Sequence, residues 1–350
     1  MEKSRFRWVL YILIGFVMAG CQLTHNESNS LPIENGISST EAMTNLPMIT
    51  ATSFLMVADP TITPTPDISN VSKDNTDLRE SKKSIDCEQD FCQISKAGYL
   101  QRPFSDLNNI RIDLSYPYAS TNNGLLDVHH GVEFQNAYGT EVLAAGDGEV
   151  VFAGVDDQMI LGPYHNFYGS VVIIRHPNLY EEKDLYTLYG HLSSILVDVG
   201  DHVEVSDPLG KVGASGAANG PHLHFEVRLD VNDYDHTVNP VLWLTPLHVS
   251  EPVVTTSLLA GVVQDSEGIP IPEAKLTLEK IAEDGSVQES TYFISYYKSG
   301  VNAHPLLGEN FAIPDLNPGK YRLSFVNNQL YEIYFTLEPG ILGFVTLLVD

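Results

Sequence analysis

The sequence predicts a mainly β protein, an antiparallel sheet domain followed by a β-sandwich, and three observations predict it. Short apolar runs of alternating polarity recur from residue 102 onward, broken by Gly, Asn, Asp and Pro, which is the spacing of strands and turns rather than of helices. Hydrophobic residues make up 43% of the chain beside 26 Gly and 20 Pro, a folded and turn-rich composition. A length of 350 residues leaves room for about two domains, each with its own core.

Charge excludes whole classes of partner. Lys and Arg total 19 against 45 Asp and Glu, a formal net charge of −26. Residues 101–248 alone hold 20 acidic and 6 basic side chains. A surface this anionic repels nucleic-acid phosphates and acidic lipid headgroups, so no nucleic-acid partner is expected.

The first element is an address. Lys3, Arg5 and Arg7 precede an apolar run over residues 8–19 that closes on Met18-Ala19-Gly20-Cys21. Residues 1–21 therefore read as a signal peptide, too short for a comfortable membrane span. The close of the run resembles the bacterial lipobox, although Met18 stands where Leu is usual. That resemblance implies a lipoprotein: Cys21 becomes the acylated N-terminus, and the protein is extracytoplasmic, anchored to a bacterial membrane at the cell envelope. Residues 22–95 are rich in Ser, Thr, Asn and Pro, with Thr61-Ile62-Thr63-Pro64-Thr65-Pro66 the clearest linker, and read as a disordered tether. Cys87 and Cys92 near its end are expected to form a disulfide loop outside the cytoplasm.

The next element, residues 96–247, carries the chemistry. Its strands are expected near 149–153, 170–176, 185–192 and 222–228. In Asp127-Val128-His129-His130-Gly131-Val132-Glu133-Phe134, a period of two puts His129 and Glu133 on one face and His130 on the other. In Gly220-Pro221-His222-Leu223-His224-Phe225-Glu226, the same period puts His222 and His224 together and turns Leu223 and Phe225 to the core. Between them stands His191, in Leu188-Tyr189-Gly190-His191-Leu192-Ser193. Catalytic zinc typically takes three protein ligands from His and carboxylate and keeps a fourth position for water, whose pKa it lowers from 15.7 to about 7. His129, Glu133 and one histidine of the His-x-His pair would complete such a set, leaving two histidines to move protons or hold an oxyanion. His25, His165, His176, His202, His236, His248 and His304 stand outside any such constellation and read as ordinary core, loop or surface residues.

These residues resemble the lysostaphin/LytM-type zinc endopeptidases that cut peptidoglycan, whose signature is His-x-x-x-Asp, a later Tyr-x-His, and a final His-Leu-His-Phe-Glu. The resemblance covers roughly residues 102–247 and extends to Gly139-Thr140-Glu141-Val142, Ala144-Ala145-Gly146-Asp147-Gly148, Tyr168-Gly169, Gly200-Asp201-His202-Val203, Gly213-Ala214-Ser215-Gly216 and Asn239-Pro240. It implies a groove-shaped antiparallel sheet with Zn2+ on its floor. By position, it implies His129 and His224 as metal ligands with Glu133 as the third, and His191 with His222 as the catalytic pair. Glu133 departs from the family's Asp by one methylene, which puts productive geometry in question, because a misplacement near 1 Å can cost on the order of 10²-fold in rate. The groove loops that select the peptide are expected at 156–164 and 180–184.

The last element, residues 253–350, shows about seven short strands at the spacing of a β-sandwich. Gly261-Val262-Val263-Gln264-Asp265, Gly268-Ile269-Pro270-Ile271 and Leu316-Asn317-Pro318-Gly319-Lys320-Tyr321 resemble carboxypeptidase regulatory-like, transthyretin-type domains, which implies an accessory module. Two functions are thus expected of the whole. The first is a zinc metalloendopeptidase acting on peptidoglycan stem or cross-bridge peptides in wall remodelling. The alternative is an inactive LytM-type module that binds the wall or activates a partner hydrolase.

Overall fold

Runs such as Val171-Val172-Ile173-Ile174 become strands because β-branched side chains pack well on a pleated surface, while the intervening Gly, Asn and Asp make the turns. The computed structural model describes residues 87, 90–94, 98–105, 107–250 and 253–350; the signal segment, Cys21 and most of the expected tether lie outside the described residues. In chain order the strands are β1 (Phe91–Ile94), β2 (Val132–Phe134), β3 (Glu141–Leu143), β4 (Gly148–Val155), β5 (Ser170–Tyr180), β6 (Lys183–Ile195), β7 (His202–Val203), β8 (Pro208–Val212), β9 (Leu223–Leu229) and β10 (Thr237–Val238). There follow β11 (His248–Ser250), β12 (Val253–Thr255), β13 (Ser257–Asp265), β14 (Lys275–Ile281), β15 (Val287–Ile294), β16 (Phe311–Leu316), β17 (Gly319–Val326), β18 (Leu330–Leu337) and β19 (Leu342–Val349). The mainly β class expected from the sequence is what forms.

The first sheet runs β10-β9-β6-β5-β4-β7, with β2 beside β10 on the edge of β9 away from β6, and β8 linking β6 to β3. All its pairings are antiparallel. Register sets the site: Glu133 of β2 and Gly190 of β6 both lie opposite His224 of β9. Leu223, Phe225 and Val227 turn one way into the main core, and His224, Glu226 and Arg228 turn the other way, as the period of two requires. Both sets are buried, because a smaller cluster around Tyr168, Val171, Ile173 and Leu188 packs apart from the main core.

Two four-stranded sheets, β1-β19-β13-β16 and β15-β14-β17-β18, enclose a second core of Leu259, Val263, Leu276, Leu278, Leu323 and Val345 among others. One pairing here, β13 with β19, is parallel. Three features differ from the sequence expectation. Phe91–Ile94, inside the expected tether, is an edge strand on β19, and Cys87 and Cys92 are disulfide-bonded beside it. Residues 180–184 are no groove loop: Tyr180 pairs with Lys183 across a two-residue turn in which Glu181 and Glu182 have φ of +47° and +63°, the left-handed pair of a tight hairpin.

The third difference concerns the boundary near residue 250. Leu258, Ala260, Ala312, Leu342 and Phe344 of the later sheet belong to the same core as Leu100, Trp243 and Leu244 of the first. A buried ion pair, Arg102 Nη2 to Asp315 Oδ1 at 2.7 Å, crosses the same junction. His304 is a loop residue and is buried there, with its ring centroid 4.9 Å from that of Trp243 and 5.4 Å from that of Tyr180. The two sheet systems are therefore fused rather than strung on a linker.

Candidate active site

Three donors from two strands and one loop meet at a point. Within the group His129, Glu133 and His224, His129 Nε2 lies 2.9 Å from Glu133 Oε1 and 3.3 Å from His224 Nδ1, and His224 Nδ1 lies 3.0 Å from Glu133 Oε1. All three side chains are buried. Glu133 thus reaches the site despite its extra methylene, because its partner strand fixes it directly opposite His224. Its second oxygen lies 3.3 Å from His222 Nε2.

Donor chemistry fits a tetrahedral metal. Ligands at 2.0–2.2 Å from zinc stand roughly 3.3–3.6 Å from one another, so these donors need only spread by a few tenths of an ångström. His129 Nδ1 and Glu133 Oε2 are buried and make no hydrogen bond, as also holds for the Tyr180 hydroxyl and Trp243 Nε1 in the core. His224 is oriented from behind: Nε2 lies 3.1 Å from Glu226 Oε1, which leaves Nδ1 to face the group. Glu226 in turn receives Arg228 Nε at 2.9 Å and the Tyr168 hydroxyl. Backing of a ligating imidazole by a carboxylate fixes its tautomer and raises its basicity.

Charge follows this geometry. Burial pushes the Glu226 carboxyl up, but Arg228 and His224 outweigh it and hold it down to about 2. Burial opposes charge on His224, but Glu133 and then Glu226 prevail and raise it to about 10. Glu133, against its own burial, is held well below the carboxylate range by His224 and His129. Two buried carboxylates, Glu133 and Glu226, thus flank His224, with Arg228 balancing Glu226.

His191 and His222 stand beside it with ring centroids 4.9 Å apart. His191 sits in a β-bulge, two residues against one between β6 and β5, with φ of +61°. A non-glycine residue held there stores strain of order 1–3 kcal/mol, and bulges re-aim side chains next to active sites. Its Nδ1 donates to the Ser215 carbonyl at 2.8 Å, since a carbonyl can only accept, leaving Nε2 as the free lone pair. Burial, then the charge of His224, lowers its pKa to about 4, so it is neutral near pH 7. His222 Nδ1 donates likewise to the Gly220 carbonyl at 2.9 Å. His130, expected on the opposite face, instead lines the same groove, held by Thr237 Oγ1 at 2.7 Å and stacked on Tyr234 with ring centroids 3.8 Å apart.

All five residues singled out in the sequence for metal or proton chemistry therefore converge on one groove of about 610 Å³, whose walls include Tyr116, Asp127, Tyr164, Phe167, Asn219 and Tyr234. None of its lining residues is Lys or Arg. Tyr116 stacks flat on His129, ring centroids 4.2 Å apart. Sequence reasoning passed over the supporting roles of Glu226, Arg228 and Tyr168. Extending the period of two from His224 to Glu226 and Arg228 would have found the first two; nothing local marks Tyr168. Gly131 is required by proximity, for a Cβ there would stand 2.7 Å from the His224 ring.

An antiparallel sheet here brings two imidazoles and a carboxylate to one point, with two further imidazoles alongside, a set of donors that could hold a metal ion. Residues 127–240 match the family model described as Peptidase family M23. The peptidoglycan DD-endopeptidase ShyC of Vibrio cholerae serotype O1 is 31% identical over 131 residues, 37% of this chain and 27% of that protein. The murein hydrolase activator EnvC of Escherichia coli K12 is 37% identical over 103 residues, 29% of this chain and 22% of that protein. The chain thus spans about a quarter of the length of these curated relatives. Among solved structures, the catalytic domain of the antimicrobial peptidase lysostaphin from Staphylococcus simulans matches at 27% identity and a TM-score of 0.31, covering 37% of this chain and 88% of that one.

Proposed function

We propose that the protein is a zinc-dependent endopeptidase that hydrolyses peptide bonds in peptidoglycan stem or cross-bridge peptides, working outside the cytoplasm from a lipid anchor at Cys21. The observation that carries the reading is the triangle of His129, Glu133 and His224 donors, 2.9 to 3.3 Å on a side, with two further imidazoles beside it. His129 Nε2, Glu133 Oε1 and His224 Nδ1 would hold zinc, which when bound supplies Lewis acidity toward a carbonyl and makes water a better acid. The chain's own side chains do the rest. His191 or His222, each with Nδ1 tied to a backbone carbonyl, presents Nε2 to accept the proton of the attacking water. Water oxygen bonds to the carbonyl carbon, the C–N bond breaks, and the accepted proton passes to the leaving amine nitrogen. The other imidazole donates to the developing oxyanion when protonated. Glu226, through His224, fixes the direction of one metal donor. A groove without Lys or Arg suits a peptide better than a polyanionic wall polymer.

The relative named as a hydrolase activator supports a second reading, a non-catalytic module that binds the wall or acts on a partner hydrolase. Metal analysis of the purified chain, together with release of new amine ends from cell-wall peptides, separates the two. Stoichiometric zinc with turnover establishes the peptidase; a metal-free protein without turnover after zinc addition rejects it.

A further inference from the structure

The later sheet system touches the walls of the groove through one segment, residues 296–302. Tyr297 N donates to the Ala119 carbonyl at 2.9 Å, and Ala119 N donates to the His129 carbonyl at 2.8 Å. His129 N closes the ladder on the Ser120 carbonyl at 3.0 Å. Ala119 is held at φ of +64°, a conformation that an alanine keeps only under constraint from its surroundings. The Tyr296 ring meets the Tyr118 ring edge to face at 5.5 Å, and both are buried.

The opposite wall is held from the same place. Asn302 Nδ2 donates to the Asp235 carbonyl at 2.8 Å and to the Thr237 carbonyl at 2.9 Å, on the segment whose Thr237 side chain holds His130. The Tyr118 hydroxyl joins both walls. It lies 3.0 Å from the Thr237 carbonyl, 3.1 Å from the Asn302 carbonyl, and accepts from Asn302 N at 3.1 Å.

From this juxtaposition we infer that residues 296–302 belong to the peptidase site, as a brace that sets His129, with Tyr118 and Asn302 as positioning residues. The inference rests on the metallopeptidase reading above. It gives the later sheet system a role that an accessory module on a linker could not have. The partners that orient metal ligands typically contribute 10–100-fold in affinity or activity.

The test uses the purified full chain and three variants. Tyr118→Phe keeps the ring packing and removes only the hydroxyl; Asn302→Ala removes both donors to the 235–237 wall. Asp315→Asn weakens the junction at Arg102, shares no hydrogen bond with a residue that lines the groove, and serves as the control. Read out are zinc affinity by chelator competition, kcat and KM on a cross-linked wall peptide, melting temperature, and amide exchange over residues 118–130. Tyr118→Phe and Asn302→Ala should weaken zinc binding by about tenfold, lower kcat with KM little changed, and speed exchange over 118–130. Asp315→Asn should lower the melting temperature alone. Wild-type zinc affinity, kcat and exchange in a folded Tyr118→Phe would overturn the brace, whatever Asn302→Ala does to folding. A wild-type chain without zinc or turnover would instead reject the peptidase reading, and the exchange data would still decide whether the brace exists.

Discussion

Glu226→Gln is the substitution whose outcome the geometry determines most fully. Glu226 is completely buried, and its two oxygens face different partners: Oε2 accepts from Arg228, and Oε1 meets His224 Nε2 and the Tyr168 hydroxyl. A glutamine has the same shape but one oxygen. Arg228 offers only donors, so the amide oxygen must turn toward it and the amide NH2 toward His224. His224 Nε2 then has to accept, its proton moves to Nδ1, and the atom facing His129 and Glu133 loses the lone pair that a metal needs. Zinc affinity should fall 10–100-fold, equivalent to about 1.4–2.7 kcal/mol. Arg228 also loses its counter-charge while buried; removing one member of such a pair costs about 3–5 kcal/mol, and the retained hydrogen bond favours the lower end. At roughly 2–4 °C per kcal/mol for a protein of this size, the melting temperature should drop by roughly 6–12 °C. Calorimetry and chelator competition on the same preparation measure both. A melting temperature within about 2 °C of wild type together with unchanged zinc affinity would refute the reasoning, because no other residue is credited with orienting His224.

Other perturbations test other links. Glu309 is buried at the junction, its oxygens accepting from His304 N and the Tyr296 hydroxyl, and burial raises its pKa to about 8 from 4.5. A raised folded pKa means that its contribution to stability is present in full below pH 4.5 and is lost as pH rises through about 8. Glu309→Gln should therefore match wild type near the acid end of that window and be more stable, by on the order of a few kcal/mol, at its alkaline end in pH-dependent melting curves. Gly131→Ala should place a methyl against the His224 ring and cost about 1–3 kcal/mol of stability along with zinc affinity, measured by denaturant titration and chelator competition. A chain ending at residue 247 uncovers Leu100, Trp243 and Leu244, so it should aggregate in light scattering where the full chain stays monodisperse.

Much of the site was legible because its information is local. His222, Leu223, His224 and Phe225 alternate on a strand, and alternation survives any tertiary context that keeps the strand extended. Glu133 and His129 meet for a different reason than the one the spacing predicts: only Val132–Phe134 is strand, and His129 is placed by backbone bonds to Ala119 and Ser120. What stayed illegible depends on partners far apart in sequence. Nothing near Arg102 announces Asp315, and nothing near Tyr297 announces Ala119. Phe91-Cys92-Gln93-Ile94 is too short to stand out from a polar stretch, and becomes a strand only because β19 offers an edge. Glu181-Glu182 adopts a turn usually made by Asn and Gly, so composition pointed to a loop.

The central claim is that proton transfer by this constellation cleaves wall peptides, and His191→Ala tests it most directly. His191 touches none of the three proposed metal donors through a hydrogen bond, so the variant should bind zinc as the wild type does. Zinc-loaded wild type should release new amine ends from a cross-linked wall peptide dimer, and zinc-loaded His191→Ala should do so about 10²–10⁴-fold more slowly. Equal rates from the two zinc-loaded proteins, or no amine release from the wild type, would contradict the account.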